Sequence, residues 1–245
     1  MERRNTNLGR NRIIERKNDL ANTVRWLFWF DRFFINPEAV IKYAKYLKYD
    51  RSVDGTWPGK RTAPTHTFDK NFFQMTTKKI VAALYPNDVS VDSCLEWRAH
   101  QFFQKIKPSE YKEKGFIHQD LTAEFTSIVY LSNEENNGTF IYNLKKPVKD
   151  TSYEKIQQQN YIKPKKPRSK EFKKALEENH NNYEKVLEFK SMKNRMIIFD
   201  SSQYHGVNNF GKDNAERLTL ITFFNSFTRT DGKPLKYHAN ECIKY

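Results

Sequence analysis

The chain has 245 residues, of which 38% are apolar and 15% aromatic, with a net charge of +14 and a pI near 9.6. Nineteen Phe, thirteen Tyr and four Trp can bury a sizeable core, so one large domain is expected despite the polar average. Two distant cysteines, Cys94 and Cys242, exclude a disulfide framework, and the most apolar stretch, Val24 to Phe30, is too short to span a bilayer.

These features predict a soluble protein in a reduced, cytoplasmic setting, with no membrane association. The positive charge predicts attraction to something anionic, either nucleic acid or an acidic small molecule; solubility together with a lysine-rich composition explains it equally well.

Residues 1–20 are polar and Arg-rich without periodicity and read as a flexible basic arm. Val24 to Phe30 reads as a buried strand. In "FFINPEAVIKYAKYLKY", Asn36 is an N-cap and Pro37 suits the first helical position. Ile35 and Val40 are spaced for a hydrophobic staple, and Val40, Ile41, Ala44 and Leu47 form an apolar stripe ending near Lys48. "DGTWPGKRT" is a turn-rich loop, whose Trp57 and Arg61 either line a substrate entrance or simply pack at the surface. A second helix is expected over residues 70–84, with Phe73, Ile80, Val81 and Leu84 facing inward.

From Ser93 the texture is β. "CLEWRAHQFFQKI", Phe116 to Asp120, Glu124 to Leu131 and Gly138 to Leu144 read as strands. Gly138 marks either a close backbone approach or a turn exit. Residues 145–190 hold 13 Lys/Arg against 7 Asp/Glu, a net +6, and read as a Lys-rich surface insertion, helical from about Ser169. Strands return at Arg195 to Asp200 and Glu216 to Phe227. The organisation is one domain over residues 21–245: N-terminal helices, then a β core carrying the insertion.

His118 and Asp120 are two residues apart, so on a strand they share a face. Alone this is a weak signal. His205 follows 87 residues later (205 − 118), after the apolar strand of "IIFDSSQYHGV". Two histidines and a carboxylate make the facial donor set of non-haem Fe(II) sites. Arg217 lies twelve residues on (217 − 205) and opens the apolar run "RLTLITFF". A buried guanidinium needs a partner, which for a lone Arg is more often a local Glu or Asp; following His205 at this spacing, a dicarboxylic acid becomes the stronger reading, and Thr219 faces the same way and can share the grip. Tyr130, in "SIVYLS", either bonds such a ligand or belongs to the core. His66, His100, His180 and His238 have no partners at ligand spacing and read as structural or surface residues, although His100 lies on a strand that could face a barrel interior.

His118-x-Asp120, "SIVYLS", "GTFIY", His205 and Arg217-Leu218-Thr219 together resemble the 2-oxoglutarate- and Fe(II)-dependent dioxygenases, nearest their prolyl-4-hydroxylase-like branch. "FFINPEAVIKYAKYL" and "WPGKR" are similar to a group of such proteins from marine bacteria and tailed phages, which for a phage-encoded chain would imply the host cytoplasm. The resemblance implies a double-stranded β-helix, a cupin-like jelly roll in the mainly β (α+β) class. It implies Fe(II) on His118, Asp120 and His205, with 2-oxoglutarate held by Arg217, Thr219 and Tyr130. It further implies O2 as oxidant, ascorbate as a reductant, and hydroxylation of a substrate with release of succinate and CO2. Three departures stand out. Arg217 replaces the Lys of prolyl hydroxylases, Ser132 the usual Asn, and Glu124-Phe125 an Asp-Trp pair. The competing expectations are a jelly-roll protein with another metal chemistry, or a non-catalytic one that binds nucleic acid through its basic arm and insertion.

Overall fold

Every residue of the run Phe125–Tyr130 is buried, which a strand achieves only when both of its faces are covered. In the computed structural model, that strand lies inside an eight-stranded antiparallel sheet covered by helices on one side and a smaller sheet on the other. The structure describes residues 12–13, 16–17, 24–25, 27–85, 95–111, 114–132, 138–145, 153–163, 168–210 and 216–229. Cys94, Cys242, His238 and most of the N-terminal arm lie outside them.

In chain order the elements are β1 (Arg12–Ile13), β2 (Arg16–Lys17), β3 (Val24–Arg25), β4 (Leu27–Phe30), α1 (Pro37–Lys45), β5 (Asp50–Arg51), β6 (Lys60–Arg61), α2 (Lys70–Leu84) and β7 (Leu95–Ile106). There follow β8 (Phe125–Tyr130), β9 (Thr139–Leu144), α3 (Tyr153–Ile162), α4 (Lys170–Asn181), β10 (Tyr183–Phe189), β11 (Met196–Asp200), β12 (Tyr204–Gly206) and β13 (Arg217–Arg229). The large sheet runs β1-β4-β11-β8-β13-β7-β6-β5, the small one β10-β9-β12, and β2 pairs with β3. Parts of the expected flexible arm are thus strands: Arg12 and Ile13 pair with Trp29 and Phe28.

The strand period decides which core each residue joins. Phe125 and Val129 of β8, with Phe103, Leu220 and Phe224, pack under α1 and α2 beside Ala44, Ile80, Val81 and Leu84. Ile128 and Tyr130 face the other way, toward Ile141 and Phe189 of the small sheet. Each fully buried Phe contributes roughly 2–3 kcal/mol relative to exposure. Gln101, on the helix-facing side of β7, accepts from Thr65 Oγ1 at 2.9 Å and donates to Thr222 Oγ1 at 2.9 Å, so this buried amide is satisfied.

Both N-terminal helices start as their caps direct. Asn36 Oδ1 accepts from Ala39 N at 3.1 Å, and Asp69 Oδ1 from Phe72 N at 2.8 Å. The expected staple does not form. Ile35 is fully exposed, because Phe33 and Phe34 instead turn into the core. On α2 it is Phe72, rather than the expected Phe73, that stacks on Phe34 and Phe103, with centroids 6.2 and 5.5 Å apart; Phe73 sits against His66.

The Lys-rich stretch is more integrated than a surface insertion. β10 pairs with β9 along its length, and Phe172, Ala175 and Leu176 of α4 bury against Phe116. Gly138 does mark a close approach, since a Cβ there would lie 1.7 Å from Phe189 O. No helix among the described residues is long and apolar enough to cross a membrane.

Asn194 ties the N-terminal segment to the sheet. Its side chain accepts from Phe34 N at 2.7 Å and donates to Phe34 O at 2.8 Å, while its φ is 67°. Asn tolerates that left-handed geometry better than most residues. Asn194→Ala is expected to cost about 3 kcal/mol in urea unfolding, from two lost buried hydrogen bonds and backbone strain. Asn194→Gly, which accepts the positive φ, should cost about 1–2 kcal/mol. Equal losses would show that the backbone geometry is irrelevant there.

Candidate metal centre and its cavity

β12 holds His205 opposite Ile141 of β9, and its other edge meets the chain at His118. His118 N donates to His205 O at 3.0 Å, and His205 N to His118 O at 2.9 Å. The expected strand over Phe116 to Asp120 is reduced to this single bridge. The reason lies in α4. Asn179 Oδ1 accepts from Ile117 N at 2.8 Å and Asn179 Nδ2 donates to Ile117 O at 3.1 Å, so that residue has no backbone groups left for a ladder.

The bridge brings three donor groups together. One ligand atom from each of His118, Asp120 and His205 lies within 4.8 Å of the others. His205 Nε2 is 3.3 Å from Asp120 Oδ2, His118 Nε2 is 3.9 Å from Asp120 Oδ1, and the imidazole centroids are 4.4 Å apart. Both Nδ1 atoms are already engaged: that of His118 with Phe116 O at 3.0 Å and that of His205 with Gln203 O at 2.9 Å. A carbonyl accepts only from a protonated nitrogen, so this pairing puts the proton on Nδ1 and leaves each Nε2 lone pair for a ligand. Asp120 Oδ2 accepts from Thr126 Oγ1 at 3.1 Å, and Thr126 Oγ1 lies 2.8 Å from Ser201 Oγ, which fixes the carboxylate's orientation.

The electrostatics suit a cation. Burial by itself would raise the Asp120 carboxyl, but the adjacent His205 and His118 outweigh it and hold Asp120 well below the usual range. Burial and then His205 lower His118, whereas for His205 the burial penalty is overcome by Asp120 and its pKa rises. Two imidazole nitrogens and one ionised carboxylate are a fitting donor set for a divalent first-row metal. The His118 side chain is 41% exposed against 8% for His205, so the group is open on one side.

That side opens into a cavity of about 540 Å³. Trp57 and Arg61 line it, as do Phe102 and Gln104 of β7 and Arg217 of β13. Gln157, Gln158 and Tyr161 of α3 close another side, so part of the Lys-rich stretch walls the site. Arg217 is only 3% exposed, and its guanidinium carbon lies 5.7 Å from the Tyr130 ring centroid. Burial lowers the Arg217 pKa, with the Tyr130 phenol opposing. Thr219, directly across from Tyr130, is fully buried and its Oγ1 has no hydrogen-bond partner among the described residues. Tyr130 has a partner of its own, donating to Thr139 Oγ1 at 2.7 Å. Ser132 Oγ accepts from Leu218 N at 3.1 Å and so anchors the start of β13 beside Arg217.

Of the remaining histidines, His100 lines the cavity with Nδ1 2.8 Å from Asn225 Oδ1, and His180 Nε2 is 2.8 Å from Gly115 O. Sequence reasoning missed Asn179, Thr126 and Ser201. Asn179 did leave a signal: it continues the stripe Phe172, Ala175, Leu176 at helical spacing, and a polar residue there needs a buried partner.

Among curated proteins, none matches the chain. Three solved structures illustrate the likeness in shape. HygX from Streptomyces hygroscopicus, with nickel and 2-oxoglutarate bound, shares 12% identity over 83% of each chain with a TM-score of 0.50. SnoK, a non-haem alpha-ketoglutarate-dependent carbocyclase from nogalamycin biosynthesis, shares 10% identity over 86% of this chain and 88% of its own, TM-score 0.48. A Pseudomonas putida prolyl-4-hydroxylase shares 13% identity over 81% of this chain and 91% of its own, TM-score 0.42. The likeness to HygX is one of fold, the jelly roll of antiparallel sheets. A family model described as a family of unknown function (DUF6445) matches residues 16–224, and the chain belongs to that family.

Proposed function

We propose that the protein is an Fe(II)- and 2-oxoglutarate-dependent dioxygenase that hydroxylates a substrate held in the cavity. The observation that carries this reading is the convergence of His118, Asp120 and His205 with both Nδ1 atoms tied to carbonyls, in the lining of a cavity that also receives the buried Arg217. Fe(II) with 2-oxoglutarate and O2 would supply the oxidation, the co-substrate leaving as succinate and CO2.

The chain's own residues would position and screen. His118, Asp120 and His205 would hold the metal on one face and leave the others open. Phe116 O and Gln203 O orient the two rings, and Thr126 orients the carboxylate. Arg217, buried beside Tyr130, would grip the distal carboxylate of the oxo acid through a charge-assisted pair. The unpartnered Thr219 hydroxyl would donate to the same carboxylate. Tyr130 would act through Thr139, which lines the cavity. The basic charge is the only feature behind the nucleic-acid reading, and solubility explains it equally well.

Anaerobic titration of the protein with Fe(II) and 2-oxoglutarate tests this through the visible charge-transfer band of the chelate. His205→Ala should abolish the band. Arg217→Ala should keep Fe(II) binding but raise the apparent Kd for 2-oxoglutarate at least tenfold; an unchanged Kd would make Arg217 a structural residue. Asn179→Ala should weaken Fe(II) binding by roughly tenfold, because the His118 segment loses its anchor. Wild-type Fe(II) affinity in that variant would confine Asn179 to folding.

A further inference from the structure

We propose that Arg61 and Trp57 form an anion-recognition site for the substrate, so that the molecule acted on carries a carboxylate or a phosphate next to an apolar body. This rests on the dioxygenase reading for calling the bound molecule a substrate. The site itself is argued from the residues.

Arg61 ends β6, opposite Gln104 of β7. Its guanidinium carbon sits 4.8 Å from the Trp57 ring centroid, 5.6 Å from that of Phe102 and 5.5 Å from that of Phe223. All four side chains line the same cavity as the donor triad. Among the described residues, the Arg61 guanidinium makes no hydrogen bond and no ion pair, and its Nε is buried without a partner. Trp57 Nε1 is likewise buried, with no partner among the described residues. Two neighbouring residues thus each hold a buried donor that has no acceptor among the described residues.

This is unlike the treatment of other half-buried arginines in the protein. Arg51 is paired with Glu110 at 2.8 Å and Tyr111 at 3.0 Å, and Arg195 grips Asp31 at 2.6 and 3.1 Å. The aromatic faces around Arg61 compensate only part of its desolvation, since a cation–π contact contributes about 0.5–2 kcal/mol. Burial accordingly lowers the Arg61 pKa to about 10, with the Asp120 charge opposing. Asp120 is not a dedicated counterion: it belongs to the triad and accepts from Thr126.

Charge balance points the same way. The charged side chains that line the cavity are two guanidinium groups, Arg61 and Arg217, against one carboxylate, Asp120, so the lining holds one more positive than negative charge in a low-dielectric space. A singly charged substrate group would balance that excess and could accept from the Arg61 guanidinium beside the Trp57 ring. The walls beside that point, Phe102 and Phe223, suit an apolar or aromatic remainder.

Calorimetric titration of the full chain with benzoate and with phenyl phosphate, first without metal or oxo acid, tests the proposal. Wild type and Arg217→Ala should bind at least one of the two anions with similar affinity, and the stronger one identifies the charged group. Arg61→Gln should bind it at least tenfold more weakly, Arg61→Lys should recover most of the loss, and 2-oxoglutarate affinity should stay within about twofold of wild type in both. Absence of binding to wild type, or equal binding to Arg61→Gln, overturns the proposal. So does a loss of 2-oxoglutarate affinity in Arg61→Gln matching that in Arg217→Ala, because Arg61 would then serve the co-substrate. If 2-oxoglutarate binds none of the proteins while the anion still binds through Arg61, the dioxygenase reading fails and the anion site stands.

Discussion

The reciprocal backbone bridge between His118 and His205 is the contact on which the site depends. Two residues 87 positions apart in sequence are joined by a pair of hydrogen bonds of 2.9 and 3.0 Å, and their imidazoles are thereby fixed 4.4 Å apart. A longer ladder is not needed. Asn179 takes the backbone of Ile117, and Ser201 O accepts from Asp120 N at 2.9 Å, so the residues flanking His118 are held from two other elements. The donor set is therefore positioned by backbone groups of His205 and Ser201 together with the Asn179 amide. The last step, the two Nδ1-to-carbonyl pairs, sets which nitrogen of each ring is left to bind.

That precision requires a rigid frame. The large sheet provides it because it is covered twice. Its β8 strand sends Phe125 and Val129 under the helices, and Ile128 and Tyr130 toward the small sheet. Close-packed interiors resist small displacements, so the strand carrying Thr126 and the strand carrying Arg217 stay in register with the bridge. The helix layer is keyed by polar contacts as well as by apolar ones, with Gln101 linking Thr65, Thr76 and Thr222, and Asn194 fastening Phe34. Buried polar contacts of this kind specify one arrangement, since any other leaves them unsatisfied.

The cavity then divides by charge. A carboxylate and two imidazoles gather at one place, one guanidinium is buried at the start of β13, and a second lies across β7 against three aromatic rings. In a low-dielectric space charges of this kind interact strongly with one another and with any ion that enters the cavity.

Much of this was legible in the sequence, for reasons that can be named. α2 occupies the expected residues 70–84, since the Asp69 cap and the apolar spacing are local properties that need no partner. β7, β8, β9, β11 and β13 fall where alternation and aromatic runs placed them, because a strand's period is written along the chain. The spacing of His118, Asp120 and His205 was enough to nominate a donor set. What the sequence could not decide was everything fixed by distant contacts. Ile35 turned outward because Asn194, 159 positions away (194 − 35), captured Phe34 and set the entry of the chain into the core. The strand expected at Phe116 to Asp120 shrank to one bridge because a side chain from α4 took its hydrogen bonds. The stretch read as a surface insertion supplied that side chain, a strand of the small sheet and one wall of the cavity. Local periodicity determines which elements exist; which hydrogen bonds remain for a given segment, and which charges are left without a partner, is decided only when the elements meet.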